Sequence, residues 1–269
     1  MKPTSMFGAP LLALLAFLLA GCAGTAVVPD TATRAALAPS GKLRVGVYTG
    51  SPTSMIKDPA SGEARGVAYE LGRELAQRLG VPFDPVVYPR LAEVLEAMKT
   101  GAVDFTVTNA TEARRKLVDF TPPVLELELG YLVLPGSPVS MLADVDRPGI
   151  RIGVSQGSSS QGVLTREFRS ARVVPAPTLK AAIEMLSQRK IDAFATNKGI
   201  LFQMSDQLAN SRVLEGRWGL EHMAIAIPKG REQAMPFVGR FAEQARSEGL
   251  VARAAARAGL RGTVRPEPR

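Results

Sequence analysis

The chain contains very few of the side chains that bind metals or form disulfides. Its 269 residues include one cysteine, Cys22, and one histidine, His222. One cysteine cannot form an intramolecular disulfide, and these two side chains are too few for a zinc site of the ordinary four-ligand kind. The sequence also lacks a P-loop and a G-x-G-x-x-G motif. We therefore expect no bound metal and no cofactor.

The sequence also lacks the charge pattern of a nucleic-acid-binding protein. The net charge is +8, but only 6% of the residues are aromatic, and the basic residues are scattered. They are concentrated only near the end of the chain, at Arg253, Arg257, Arg261, Arg265 and Arg269. A nucleic-acid site needs a clustered basic stripe, so we expect no nucleic acid as a partner. Attraction of anionic ligands or of acidic lipid surfaces explains the charge at least as well.

The N-terminus has the pattern of an export signal. Lys2 precedes an apolar run over Leu11–Leu19, which is too short to span a membrane comfortably and is typical of a secretory signal peptide. The following segment, Leu19–Cys22, resembles a bacterial lipobox, in which the cysteine is acylated. We therefore predict a signal peptide over residues 1–21 and a lipid anchor at Cys22. This anchor would hold the protein at the periplasmic side of a bacterial membrane, inner or outer.

The rest of the chain predicts an α/β protein of two lobes. Residues 22–40 are rich in alanine, threonine and proline without a period, which indicates a flexible tether. From Leu43 onward strands and helices alternate, as in a largely parallel sheet. A long strand near Leu127–Leu134 would cross to a second lobe, and a strand at His222–Ile227 would return. The predicted units are lobe 1 (41–133 and 224–262), lobe 2 (134–223) and a frayed tail (263–269).

The stretch Asp104–Pro123 suggests an anion site. A predicted strand ends near Thr108, capping residues follow at Asn109–Thr111, and a helical turn carries Arg114. An arginine there could bind a carboxylate through two parallel hydrogen bonds, together with free backbone N–H groups. The alternative is that the basic run Arg114–Lys116 is only a solvated helix face.

A second anion-binding corner is predicted in the other lobe. Gly157, Ser158, Ser159 and Ser160 lie where a predicted strand meets a helix, and free N–H groups and hydroxyls there could bind an anion. An ordinary serine-capped helix start explains the same residues. If both corners bind ligand, they would face each other across a cleft and clamp a small anion.

An enzymatic alternative rests on Gly153–Gly157, which matches the nucleophile-elbow pattern G-x-S-x-G around Ser155. Asp192 and His222 follow in the order of a hydrolase triad. However, there is no HGGG-like oxyanion segment, and both Asp192 and His222 begin predicted strands rather than lying on loops. A five-residue motif without its structural context is only a hypothesis, so we expect a non-enzymatic protein.

Seven short segments, in the same order along the chain, resemble family 3 extracellular solute-binding proteins, the receptors of polar amino acid ABC importers. They are GKLRVGV, GVAYELGRELAQRLG, TGAVDF, TEARRKLVDFTPP, IRIGVSQGSS, LSQRKIDAFATN and HMAIAIPKG, between Gly41 and about Gly262. The resemblance implies two Rossmann-like lobes joined by a two-strand hinge, the type II periplasmic binding fold. It also implies a monomer that encloses a small solute and delivers it to an ABC permease.

The resemblance assigns roles to particular residues. Arg114 falls on the arginine that grips the α-carboxylate of the ligand. Asn109 and Thr111 fall on neighbouring polar contacts, and Ser158 and Ser159 fall on contacts from the second lobe.

Two departures from the family pattern affect the predicted ligand. The acidic residues that bind the α-ammonium align with Tyr48 and Asn197. A buried ammonium without a carboxylate partner would be strongly penalised. We therefore predict a small carboxylate-bearing, amino-acid-like solute that need not be a standard α-amino acid, with Glu70 as a candidate replacement acid. The alternatives that remain are a catalytic descendant of this fold, either a dehydratase or an esterase using Ser155, and a ligand-sensing receptor.

Overall fold

A computed structural model describes residues 29–58 and 60–264. The helices are α1 (Thr31–Leu37), α2 (Val67–Leu79), α3 (Leu91–Lys99), α4 (Glu112–Arg115), α5 (Ser159–Glu167), α6 (Leu179–Ser187), α7 (Lys198–Ser205), α8 (Met235–Ser247) and α9 (Leu250–Arg257). The strands are β1 (Leu43–Tyr48), β2 (Ile56–Lys57), β3 (Ala64–Arg65), β4 (Phe83–Tyr88), β5 (Thr106–Asn109), β6 (Val118–Phe120), β7 (Leu125–Val133), β8 (Arg151–Ser155), β9 (Arg172–Ala176), β10 (Ala193–Asn197), β11 (Arg212–Val213), β12 (Gly219–Pro228) and β13 (Thr263–Val264).

The α/β fold predicted from the alternation of elements is confirmed, with two lobes. In lobe 1, β1 pairs in parallel with β4, and β5 pairs with β12. In lobe 2, the parallel strands β10, β8 and β9 form the sheet. Apolar side chains of α2, α8 and α9 pack on the sheet of lobe 1, whereas two smaller apolar clusters fill lobe 2. The periodic apolar faces of these helices explain why each lobe has its own core.

Two antiparallel strands, β7 and β12, connect the lobes. Over Leu125–Leu129, β7 pairs with β12, whereas over Leu129–Leu132 it pairs with the lobe 2 strand β10. The change of partner places the crossing near Leu129, within β7, rather than after Val133. The leucine–glutamate alternation of β7 ends at the same place, and the strand is continuously buried from Leu129 to Val133.

The segment before β1 is partly helical, so the prediction of a flexible tether up to residue 40 is wrong for Thr31–Leu37. Asp30 caps this helix, because its Oδ1 accepts a hydrogen bond from the Thr33 backbone N–H at 2.6 Å. Leu37 is 0% exposed and belongs to the core of lobe 1. A helix of two turns is too short for its period to stand out. The signal peptide, Cys22 and residues 22–28 lie outside the described residues.

The end of the described chain is a strand, so the prediction of a frayed tail is wrong at Thr263 and Val264. These residues pair with Leu127 and Glu126 of β7, and the Gly262 carbonyl accepts a hydrogen bond from the Glu128 backbone N–H at 3.0 Å. Two residues of strand carry too little pattern to be recognised from sequence. Residues 265–269 lie outside the described residues.

In the part of the chain that the structure describes, no helix is both long and apolar enough to cross a membrane. Within the same residues, no group of three or more histidine, cysteine and acidic side chains is arranged to hold a metal ion.

Candidate functional site

A pocket of about 600 Å³, counted with its opening, lies between the lobes beside the hinge. It is formed by the ends of β1, β5, β8 and β10, the start of α3 and the hinge strand β12. The lining residues are Tyr48, Pro89, Arg90, Leu91, Thr108, Asn109, Arg114, Ser155, Gln156, Ser158, Ser159, Pro177, Thr178, Leu179, Thr196, Asn197, Ile200, Glu221 and Met223.

Arg114 is buried in this pocket with part of its guanidinium uncommitted. The residue is 5% exposed, whereas its neighbours Arg115 and Lys116 are exposed, so the solvated-face interpretation holds for them but not for Arg114. Its Nη1 donates to Thr108 Oγ1 at 2.9 Å and to the Asn109 carbonyl at 3.1 Å. Among the described residues, Nε and Nη2 have no acceptor. Nη1 of the guanidinium therefore anchors the side chain, and Nε and Nη2 can bind a carboxylate.

Burial lowers the pKa of Arg114, against the opposing influence of Glu221 and Tyr48. An arginine stays protonated at any ordinary pH in spite of such a shift. The pocket therefore contains a permanent buried cation, which favours an anionic group of the ligand.

Glu221 is the functional candidate that the sequence analysis missed. It lies on β12 where this strand crosses the cleft, and it is 7% exposed. Its Oε1 accepts a hydrogen bond from Ser159 Oγ at 3.1 Å, and its Oε2 accepts one from Asn197 Nδ2 at 2.9 Å. The inference that the pocket lacks an acid, drawn from Tyr48 and Asn197, is therefore wrong.

The reason for this omission is the length of β12. The apolar pattern predicts a strand from His222, which leaves Glu221 in a preceding loop, whereas the strand begins at Gly219. The position of Glu221 could have indicated its role. A hinge strand must pass the cleft, so an acidic residue directly before the predicted strand is a candidate for the pocket.

Tyr48 and Asn197 both line the pocket, as the aligned positions implied. Asn197 Oδ1 caps α7 by accepting from the Ile200 backbone N–H at 3.1 Å, while Nδ2 binds Glu221. The Tyr48 hydroxyl lies 3.3 Å from Ser51 Oγ, and burial raises the pKa of this phenol. Tyr48 is therefore a neutral wall of the pocket, and Asn197 holds the buried carboxylate in place.

The predicted serine corner is present, with different roles for its members. Ser158 Oγ caps α5 by accepting from the Gln161 backbone N–H at 3.1 Å, which agrees with the capping interpretation, although the residue also lines the pocket. Ser159 Oγ connects three elements, since it donates to Glu221 and accepts from Asn109 Nδ2 at 3.3 Å. Thr111 caps α4 through its hydroxyl and is not among the lining residues.

Several contacts show that the lobes are closed over the pocket. Arg90 Nη1 of lobe 1 donates to Gln156 Oε1 of lobe 2 at 3.3 Å, and Asn109 contacts Ser159 across the same cleft. Gly157 lies so close to the start of α3 that a Cβ atom there would be 2.7 Å from Ala92 Cβ.

The residues of the hypothetical hydrolase triad are not assembled. Ser155 lines the pocket, but the Asp192 carboxylate accepts hydrogen bonds from Arg151, at 2.7 Å from the backbone N–H and 2.8 Å from Nη2. The His222 Nδ1 is 2.8 Å from Glu126 Oε1. Neither Asp192 nor His222 lines the pocket, so these two residues do not form a triad with Ser155.

Glu70 and Trp218 lie outside the pocket. Glu70 is buried, forms ion pairs with Arg73 at 2.5 Å and Arg257 at 2.9 Å, and does not line the pocket, so it is not the partner of a ligand ammonium. Trp218 donates its indole N–H to the Gly130 carbonyl at 3.1 Å and packs against Tyr131, which makes it a packing residue.

Comparison with known proteins agrees with this architecture. The profile of the bacterial extracellular solute-binding proteins, family 3, matches residues 43–258. The ABC transporter glutamine-binding protein GlnH of Bacillus subtilis (strain 168) is 25% identical over 222 residues, which are 81% of this chain and 81% of that protein.

Solved structures show the same fold. A solute receptor for L-cysteine from Neisseria gonorrhoeae superposes with a TM-score of 0.74 at 22% identity, over 84% of this chain and 92% of that one. An ancestral amino acid-binding protein, a precursor of cyclohexadienyl dehydratase, gives 0.72 at 22% identity, over 84% and 98%. At such identities the superpositions establish the fold only. With the family profile matching most of its length, the chain belongs to the family 3 bacterial extracellular solute-binding proteins and has their type II periplasmic binding fold.

Proposed function

We propose that this protein is the substrate-binding component of an ABC importer and that it captures an α-amino acid in the interlobe pocket. Arg114 would bind the α-carboxylate and Glu221 the α-ammonium. The observation that carries the proposal is the burial of one cation and one carboxylate in the same closed cleft. Relatives that bind glutamine or L-cysteine support the ligand class.

The charge balance of the pocket favours a zwitterion. Transfer of an isolated ammonium or carboxylate into a buried site costs several kcal/mol unless an opposite charge is present. Arg114 and Glu221 offer one partner to each end of an α-amino acid. A carboxylate accepts about four hydrogen bonds, and Glu221 receives two from Ser159 and Asn197. It therefore retains acceptor capacity for an ammonium group. The proposed ligand thus has the carboxylate predicted from the sequence and, in addition, an α-ammonium group.

The lipid anchor is the second part of the proposal. Acylation of Cys22 would tie the protein to a membrane on its periplasmic side, where it would deliver ligand to the permease as a monomer. Two or more acyl chains give stable anchoring, whereas one chain binds only weakly. Metabolic labelling with a palmitate analogue tests it: we expect label in wild-type protein and none in Cys22→Ser. Equal labelling of both proteins would refute the anchor.

Isothermal titration of the domain with proteinogenic L-amino acids and their deaminated analogues tests the binding function. We expect at least one amino acid to bind, and Arg114→Lys to weaken it by about tenfold or more, because a lysine cannot reproduce the two-pronged contact. Arg115→Lys is the matched control, since Arg115 is exposed on the same helical turn. The proposal fails if no amino acid binds, or if the two variants lose affinity equally.

A further inference from the structure

Beyond the ammonium and carboxylate partners, the pocket contains one more charged side chain. We propose that Arg90, together with Gln156, makes the site specific for amino acids whose side chain ends in an oxygen acceptor, a carboxamide or a carboxylate. The same pair would exclude cationic side chains. This inference rests on the proposed function, because it assumes that Arg114 and Glu221 bind the backbone groups of the ligand.

The exclusion follows from counting charges. Arg90, Arg114 and Glu221 are the charged residues among those that line the pocket in the described chain. If Glu221 binds the α-ammonium, no acid remains for the side chain of lysine or arginine. Such a side chain would find no acid to pair with among the lining residues, and Arg90, which is ion-paired with Glu93, offers it no hydrogen-bond acceptor, and both effects oppose binding.

The position of Arg90 suits a contact with the end of a ligand side chain. It precedes α3 and is held from both lobes. Its Nη1 donates to Gln156 Oε1 at 3.3 Å, and its Nε is 3.1 Å from the Glu93 carboxylate, although not in the direction of a hydrogen bond. Glu93 is not a lining residue and is already beside Arg90, so it is no substitute acid for a cationic ligand.

The donors of this pair remain partly uncommitted. Gln156 uses its oxygen to accept from Arg90, which leaves its Nε2 amide group as a donor. Within the described residues, Nη2 of Arg90 has no acceptor. The adjacent lining residues Leu91, Pro177 and Leu179 are apolar and suit methylene groups. A ligand side chain with an apolar stem and a terminal oxygen acceptor would contact the apolar residues with its stem and the donors of Arg90 and Gln156 with its end. Hydrogen bonds from a charged donor are stronger than those from a neutral one.

The test is a titration series on wild type, Arg90→Met and Arg240→Met. The ligands are L-glutamine, L-glutamate, their homologues shorter by one methylene, L-methionine as an apolar match, and L-lysine and L-arginine. Arg240 is an exposed arginine of α8 away from the pocket and serves as the control. In wild type and Arg240→Met, we expect an acceptor-bearing ligand to bind about tenfold or more tighter than methionine. Lysine and arginine should bind more weakly still.

In Arg90→Met, the preference for the acceptor-bearing ligand over the ligand L-methionine should fall below about threefold. The acceptor-bearing ligand should bind more weakly, because a hydrogen bond to a charged donor accounts for most of this preference. Comparing the affinities of carboxamide and carboxylate ligands for wild type then shows which of these two side-chain groups the site prefers. The proposal is overturned if lysine, arginine or methionine binds wild type as tightly as every acceptor-bearing ligand, or if Arg90→Met leaves the preference unchanged. If no amino acid binds at all, the proposed function itself fails. Should Arg90→Met not fold, Gln156→Leu must reduce the same preference.

Discussion

Replacing Glu221 by glutamine should distinguish binding of an amino acid from binding of a simple carboxylate. The substitution keeps the shape of the side chain and one oxygen acceptor but removes the negative charge. In the structure this carboxylate accepts hydrogen bonds from Ser159 and Asn197 and is the acid that lines the pocket with Arg114. Glu221→Gln therefore leaves the carboxylate site in place, removes the charged partner of the ammonium, and replaces the acceptor of one of these two hydrogen bonds by an NH2 group.

The size of the effect follows from the burial of the pair. Glu221 is 7% exposed, so a bound ammonium would be almost fully desolvated. Removal of one partner from a buried, hydrogen-bonded charge pair costs about 2–5 kcal/mol. This corresponds to a loss of affinity for an α-amino acid of about 30-fold to several thousand-fold. A deaminated analogue has no ammonium to lose and gains by the removal of a like charge, so its affinity should stay the same or rise.

The assay is calorimetric titration of both proteins with one amino acid and its deaminated analogue, which forms a double-mutant cycle between protein and ligand. Glu126→Gln is the control, because Glu126 lies on the other hinge strand, beside His222, and does not line the pocket. Melting curves without ligand check that the variants fold. If Glu221→Gln weakens both ligands equally, or neither, Glu221 does not bind the ammonium and the reasoning is wrong.

Three further predictions concern the framework. Leu37→Ala should lower the free energy of unfolding by about 2–5 kcal/mol in a denaturant titration, because the helix before β1 is part of the core. An unchanged midpoint would instead support the prediction that this segment is a flexible tether. Gly157→Ala should weaken ligand binding, since its Cβ would meet Ala92 across the closed cleft, whereas Gly149→Ala, with a similar positive φ but open space, should lower stability alone; equal affinities would contradict this. Burial raises the pKa of Asp192, but hydrogen bonds from Arg151 outweigh it and hold the pKa below the ordinary 3.8. Its contribution to stability is therefore complete above pH 3.8 and is lost as the pH falls through the native pKa. Asp192→Asn should melt lower than wild type at pH 7 and converge with it in acid; a constant difference would refute the assignment.

The family, the two-lobed α/β fold and Arg114 as the leading candidate for anion binding could all be predicted from the amino-acid sequence. These features are local: they depend on the alternation of strands and helices, on a capped turn after a buried strand, and on several short motifs in a fixed order. The same locality explains the errors at Thr31–Leu37 and Thr263–Val264. Short elements owe their structure to what they pack against, and this does not show in their own residues.

Which charges share the pocket depends on the three-dimensional arrangement of the strands. Glu221 is far from Arg114 in the chain, and only the antiparallel crossing of β12 beside β5 and β7 brings the two into one cleft. Glu70, the acid proposed from sequence, is paired with Arg73 and Arg257 instead. Arg90 and Gln156 become neighbours only because the lobes close. A side chain is committed to a ligand by desolvation and by the charges around it, and both depend on residues that are distant in sequence.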